Sequence, residues 1–387
     1  MPELESSLEN EWSLLKAACS ASSDPAKSEA VRQLLTKPIR WNALFELASR
    51  HGVQPLLCQA ISNYSDLVSP QQLSAAKRLY QANVHKALFL AREMISILDC
   101  LESRGIDAMP YKGLALAQSH YGDMALRQPG DIDLLIHPED LPRIREAVRE
   151  LGYLPHLKLR ERFETQYRRS GYECAFDGTA GRNLLEVQWA IQPRFYAVDF
   201  ALKGVFERAV SIEAAGRTVK TPSPDDLFII LSLHAAKHAW GRLIWLCDLE
   251  RIMRSLLNWK WIGLQAQEFG ITRILSVTIL LMKSLLGTEI PPDAATYLAE
   301  DPSARALARE IEALMASSTP FEAESIAYFR LMLRLRERPS DRVRFLSRVV
   351  FTPGPGEWET MQLPSALTPL YRIIRLSRLA ARLISRA

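Results

Sequence analysis

Asp131 and Asp133 stand one residue apart at the head of the run Asp131-Ile132-Asp133-Leu134-Leu135-Ile136, whose apolar content predicts a β-strand. Side chains alternate along a strand, so both carboxylates point to the same side. Two like charges that close repel each other, and the arrangement persists where a divalent cation sits between them. With Mg²⁺ (or Mn²⁺), such a pair forms the protein half of a phosphoryl-transfer site, nucleotide phosphates supplying further ligands. A third carboxylate is commonly needed, and Glu186 falls in a second predicted strand, residues 184–189 (LLEVQW). Period two puts Glu186 and Gln188 on one face and Leu185, Val187 and Trp189 on the other, buried face. Glu173, on the preceding predicted strand, is the competing third carboxylate; Glu186 is preferred.

Cations and a glycine precede this set. Lys112-Gly113 follows a short predicted strand, Ala108–Tyr111, and opens a helix. A helix start offers free N–H groups and a positive dipole end, and glycine lets a phosphate approach closely. Lys112 and Arg127 can offset triphosphate charge, Arg127 bidentately. Farther on, His234 and His238 are four apart on a predicted helix and share a face, with Lys237 beside them. The spacing suits zinc, but no third ligand is evident. A packed, hydrogen-bonded pair and a place beside a nucleotide are the other readings.

The elements that must position these groups divide the chain into four. Residues 1–104 read as a helical lead, with apolar residues at three- and four-residue steps and breaks at Pro25, Pro38 and 65–70. Residues 105–222 read as a small α/β core and alone carry strands. They include a helix over Pro138–Leu151 capped by Gly152, a hairpin from 172–176 and 184–189 around the loop 177–183, and a short strand at Arg217–Lys220. Residues 223–350 return to helix from Pro224-Asp225-Asp226 onward. Residues 351–387 form a Pro/Gly loop and an amphipathic helix. The fold class expected is α/β (α+β), a mixed-sheet core between helical regions.

Composition sets outer limits. The 387 residues are 48% hydrophobic and 24% charged, an ordinary globular mix that excludes a mainly disordered chain. The five cysteines are far apart with no CxxC pair, and the acidic start has no apolar signal core, so a cytoplasmic protein with free thiols is expected. The greasiest stretch, 274–286, is too short to span a bilayer and contains Lys283. GxxxxGK[ST], GxGxxG after a strand, GxSxG and HExxH are all lacking, so the folds those motifs mark are unsupported.

The residues together resemble the nucleotidyltransferase superfamily of DNA polymerase β, the kanamycin nucleotidyltransferases and abortive-infection toxins. They are most similar to the bacterial uncharacterised nucleotidyltransferase family. Its helix-start element falls on Lys112-Gly113, its Arg-x3-Asp-x-Asp on Arg127, Asp131 and Asp133, and its Glu-x-x-Trp on Glu186 and Trp189. The usual His before that Trp is Gln188 here. Its His-x2-Lys-His…Trp-x2-Asp helix matches His234, Lys237, His238, Trp245 and Asp248, and its C-terminal ending matches 364–372 loosely. The resemblance implies transfer of a nucleoside monophosphate from an NTP, ATP favoured, to an acceptor hydroxyl of a small molecule, peptide or protein. Asp131, Asp133 and Glu186 would be metal ligands and catalytic groups, and Lys112, Gly113, Arg127, Lys237 and His238 would bind nucleotide. His234, Asp248 and Glu173 form a second tier. A toxin-like activity on tRNA, or a non-catalytic nucleotide- or peptide-binding role, are the alternatives.

Charge is uneven. Residues 330–387 hold 12 Arg, no Lys and 4 acids, a net +8 that leaves −4 for the rest of a +4 chain. Arg372, Arg375, Arg378, Arg382 and Arg386 recur at helical spacing, predicting a basic stripe over 372–386 with Ile373, Leu376, Leu379 and Leu383 beside it. It would either pack on the acidic body or meet an anionic membrane surface, an acidic partner or RNA. Few aromatics accompany it, and no DNA-binding signature is present.

Overall fold

The computed structural model describes residues 8–20, 25–157, 161–179, 181–298, 301–316, 325–352, 357–358, 363, 367 and 370–384. Five helices lead: α1 (Glu9–Ser20), α2 (Pro25–Leu35), α3 (Trp41–Arg50), α4 (Gln54–Ile61) and α5 (Pro70–Glu102). The mixed region follows with β1 (Ala108–Pro110), α6 (Gly113–Leu116) running into a π turn, β2 (Ile132–Ile136), α7 (Leu141–Glu150), β3 (Tyr153–Pro155), α8 (Glu161–Ser170), β4 (Glu173–Gly178), β5 (Leu185–Gln188), α9 (Leu202–Glu207), β6 (Val210–Ala214) and β7 (Arg217–Thr221). The helical body comprises α10 (Pro224–Lys237), α11 (Leu243–Met253), α12 (Trp259–Phe269), α13 (Thr272–Leu286), α14 (Pro292–Tyr297), α15 (Pro302–Ala316), α16 (Ile326–Arg334), α17 (Pro339–Phe351) and α18 (Leu370–Ile384). The architecture is mixed α/β, as expected. The expected loop over Phe351–Pro364 lies largely outside the described residues.

The main sheet runs β1-β2-β5-β4-β3, with β2 and β5 parallel and the other pairs antiparallel. One face is continuously apolar: Ile132, Leu134 and Ile136 of β2, Leu185 and Val187 of β5, and Cys174 and Phe176 of β4. It packs on the second half of α5 through Leu90, Met94, Ile97 and Leu101, and on Ile144 and Val148 of α7. The opposite face carries the carboxylates at one end, while Leu135 and Met109 join a second core. That core merges the N-terminal helices with the distant helical body: Trp12, Leu44 and Leu57 lie in one cluster with Phe228, Leu246 and Leu275. Helix α5, about 50 Å long at 1.5 Å per residue, spans both cores.

Local chemistry starts the elements that matter for the site. Ser223 caps α10, its hydroxyl accepting from the Asp226 N–H at 3.2 Å, and Pro224 suits the first turn. α10 is apolar nearly all round, which fits a helix enclosed on most sides. Greasy α13 is likewise buried, and no described helix is long and apolar enough to cross a membrane. All five cysteines are free thiols.

β3 and β6 were not expected. β3 has three residues, too few for periodicity to register, and β6 is largely exposed, so its sequence lacks an apolar stripe. The β6–β7 hairpin braces the approach to the site, because Thr221 donates a hydrogen bond to the Pro110 carbonyl at 3.0 Å, just before Tyr111-Lys112. Its two-residue turn, Ala215-Gly216, has φ of 54° and 79°. Both positions of such a turn need the left-handed region, which strains alanine. Ala215→Gly or Ala215→Asn is therefore expected to raise unfolding free energy by about 0.5–1 kcal/mol, read as a higher denaturant midpoint at unchanged slope.

Candidate active site

Parallel pairing of β2 with β5 sets Asp133 directly beside Glu186, and antiparallel pairing of β5 with β4 sets Gln188 beside Glu173. Partners across a ladder point the same way, so Asp131, Asp133, Glu186, Gln188 and Glu173 all lie on one face. Ligand atoms of Asp131, Asp133 and Glu186 come within 4.8 Å of one another, the only such group of three metal-capable side chains among the described residues. Glu173 does not join them, although it shares their face.

Asp133 is 4% exposed and takes the Lys112 ammonium on Oδ1 at 2.7 Å. Lys112 is itself buried, stands 4.8 Å from the Tyr111 ring centre, and is held charged, its pKa raised by Asp133 against the cost of burial. Gly113 has φ of +57°, and a side chain there would sit 3.4 Å from the Asp131 carbonyl. The Lys-Gly element thus lies against the aspartate strand, and the left-handed φ is what favours glycine there. Burial pushes the Asp131 carboxyl up, aided by Asp133 and opposed by Lys112 and Arg127. Glu186 is pushed up to about 8, first by burial and then by the charges of Asp133 and Glu173. Negative charge on this cluster is therefore disfavoured beyond what Lys112 offsets, and a further cation would favour the ionised form.

Gln188 ties the cluster together. The Tyr111 hydroxyl donates to its carbonyl oxygen at 2.7 Å, fixing the amide so that Nε2 donates to Asp133 Oδ1 at 3.4 Å and Glu186 Oε2 at 3.3 Å. Strand alternation shows that Gln188 faces the carboxylates; Tyr111 gave no such signal.

Arg127, expected beside the phosphates, is held by a carboxylate. Its Nε and Nη2 grip both oxygens of Asp248 at 3.0 Å, and the Tyr121 hydroxyl donates to Asp248 Oδ1 at 2.8 Å. The Nε–Nη2 edge of the guanidinium is thus taken by a carboxylate on α11. What Arg127 gives the cluster is charge, which draws Asp131 down. Asp248 is the partner that holds this arginine, and its tyrosine contact was not foreseen.

The end of α10 brings in the other expected residues. His238 stacks on Trp245 with ring centres 5.2 Å apart, and His234 meets the same indole edge-on at 5.5 Å. Burial, then Lys237, Lys112 and Arg242, push His238 down to about 3. Its residue nonetheless reaches solvent at one side. Burial and the cations Lys112 and Lys237 also push His234 well down. Both rings are neutral near pH 7, so Lys237 is the cation of this trio. Burial lowers the Lys237 ammonium, while Glu173 opposes that shift. Lys237 donates to the Tyr172 hydroxyl at 3.4 Å, and Tyr172 donates to Glu173. Glu173 thus has its own tyrosine and cation, separate from the three-carboxylate group.

The family described as uncharacterised nucleotidyltransferase matches residues 37–287, a span that contains the sheet, all three carboxylates and the α10–α11 residues. The chain belongs to this family. Among solved structures, an antigenic nucleotidyltransferase-like protein from Paracoccidioides brasiliensis is similar at 15% identity, over 53% of this chain and 95% of that one, with a TM-score of 0.31. No curated protein matches.

Within this nucleotidyltransferase-family chain, Gln188 is the neutral side chain that bridges Asp133 and Glu186. Should the cluster hold a divalent cation, Gln188→Leu is expected to weaken that binding by about tenfold to a hundredfold, measured by calorimetric titration with Mn²⁺ and Mg²⁺, with a far-ultraviolet spectrum like wild type.

Proposed function

We propose that the chain is a metal-dependent nucleotidyltransferase that moves a nucleoside monophosphate from an NTP, ATP favoured, to an acceptor hydroxyl with release of pyrophosphate. The observation that carries this reading is the convergence of Asp131, Asp133 and Glu186 within 4.8 Å. Three oxygen-donor carboxylates on two paired strands, short of positive charge, suit a hard divalent cation such as Mg²⁺. These three residues would hold it, and when bound it would supply charge stabilisation to the phosphates.

The chain's own groups have distinct work in this reading. Lys112 and the Gly113 N–H face the triphosphate beside the aspartate strand, and Lys237 approaches from the end of α10. Glu186, more open than Asp133, takes the proton of the acceptor hydroxyl. The acceptor oxygen bonds to the α-phosphorus, the bond from that phosphorus to the bridging oxygen breaks, and pyrophosphate leaves with the electron pair. Arg127, oriented by Asp248 and Tyr121, lowers the energy of added negative charge without a bidentate phosphate contact. The neutral His234 and His238 rings, set against Trp245, offer a base or acceptor a hydrogen-bonding, stacking surface. Rate would come chiefly from positioning and charge.

Pyrophosphate release is the direct assay, run over four NTPs with Mg²⁺ or Mn²⁺ and with hydroxyl-bearing small molecules, peptides and tRNA as acceptors. Asp131→Asn and Asp133→Asn should each lower turnover by at least about a hundredfold, with the fold retained. Near-wild-type turnover in either variant overturns the assignment. Saturating Mg²⁺ should raise the melting temperature by a few degrees, as binding to the folded state alone requires, and EDTA should reverse the rise. A melting temperature indifferent to both would count against the metal.

A further inference from the structure

Helices α17 and α18 turn apolar stripes outward. Val343, Leu346 and Phe351 on α17, and Leu370, Ile373 and Leu376 on α18, are 41–68% exposed. Within α18 the three recur at three-residue steps, so they form a stripe and not a scatter. The opposite side of α18 is pinned to the protein by two residues four apart. Tyr371 is buried, and its hydroxyl accepts the Leu363 N–H at 2.9 Å. Arg375 is 3% exposed, donates to the Val349 carbonyl and pairs with buried Glu357 at 3.2 Å. Arg375, one of the expected basic stripe, is therefore an inward anchor. Among its described side chains, 370–377, α18 thus buries Arg375 and Tyr371 and displays Leu370, Ile373 and Leu376.

The exposed charges among the described side chains of the two helices share one sign, while exposed Asp199 pairs with Arg348 of α17 at 2.7 Å. From 338 to 377, the exposed charged residues among those described are Arg338, Arg342, Arg344 and Arg372. The described acids there, Asp341 and Glu357, are buried. Arg372 lies over the Phe351 ring at 5.3 Å, so the two helices meet at the patch with a guanidinium on top. A second copy would bring like charges together over the apolar surface, which disfavours self-association. We propose that α17 and α18 form a docking surface for an anionic lipid bilayer. The stripes follow two helix axes, so they can lie in the headgroup region with leucine, isoleucine and phenylalanine inserted and arginines on lipid phosphates.

The test uses the full chain and does not depend on nucleotide transfer. Co-sedimentation is measured with vesicles of phosphatidylcholine alone and of phosphatidylcholine mixed with an equal part of phosphatidylglycerol. Binding should be at least about tenfold tighter to the anionic vesicles and should weaken with salt. Ile373→Asp with Leu376→Asp should abolish it with the melting temperature kept, because both side chains already face solvent. Val343→Asp with Leu346→Asp repeats the test from the other helix. Absent binding, equal binding to both vesicle types, or binding untouched by both pairs of substitutions overturns the proposal. So does a doubled mass in light scattering that the same substitutions halve, which would assign the face to a second copy.

Discussion

Like charge held close together on a sheet face is the constraint from which the rest of this molecule's arrangement follows. Parallel β2 and β5 place Asp133 and Glu186 side by side, with Asp131 two residues back on the same face. A slip of one residue in either strand would send its carboxylates into the apolar layer beneath and bring leucine or valine up. The register is held by that layer, where Leu134, Leu185 and Val187 are fully buried. The carboxylates can thus stay near one another despite their repulsion, because leaving would cost the strands their apolar contacts.

Compensation for that repulsion reaches outward in steps. Lys112 contacts Asp133 directly; Gln188 binds Asp133 and Glu186 and is itself aimed by Tyr111. Beyond these, Arg127 adds charge while Asp248 and Tyr121 hold it still. Asp248 belongs to α11, Lys237 to α10, and both helices sit in the core shared with the N-terminal helices. The helical body thus supplies Lys237 and the Asp248 that holds Arg127, from a core it shares with the N-terminal helices. This is why a small sheet is embedded in so much helix: a strand end can present carboxylates, but it cannot surround them.

Legibility in the sequence tracked the range of the interactions. The strands at 132–136 and 185–188, the face shared by Glu186 and Gln188, and the start of α10 at Pro224 all rest on neighbours in sequence, and each could be read from alternation or capping chemistry. The family resemblance carried by Lys112-Gly113, the aspartate pair and Glu186 agrees with the family match. What stayed hidden depends on partners far away. Arg127 and Asp248 are 121 residues apart and Tyr111 and Gln188 are 77 apart, and no local pattern announces either pairing. The orientation of α18 was also hidden, since periodicity shows that one helix face is apolar but not that a buried Arg375–Glu357 pair will turn that face outward.

Glu173 and Glu186 show why register alone does not assign a role. Both are glutamates on paired strands, both point to the same face, and burial raises the pKa of both. Glu173 meets the Tyr172 hydroxyl and the field of Lys237, so its charge is answered within the protein. Glu186 meets Asp133, Asp131 and a shared amide, so its largest charged neighbours repel it. A carboxylate already matched to a cation gains little from a metal, whereas one set among other carboxylates gains most. In the proposed metal site, these surroundings favour Glu186 over Glu173 as the third ligand.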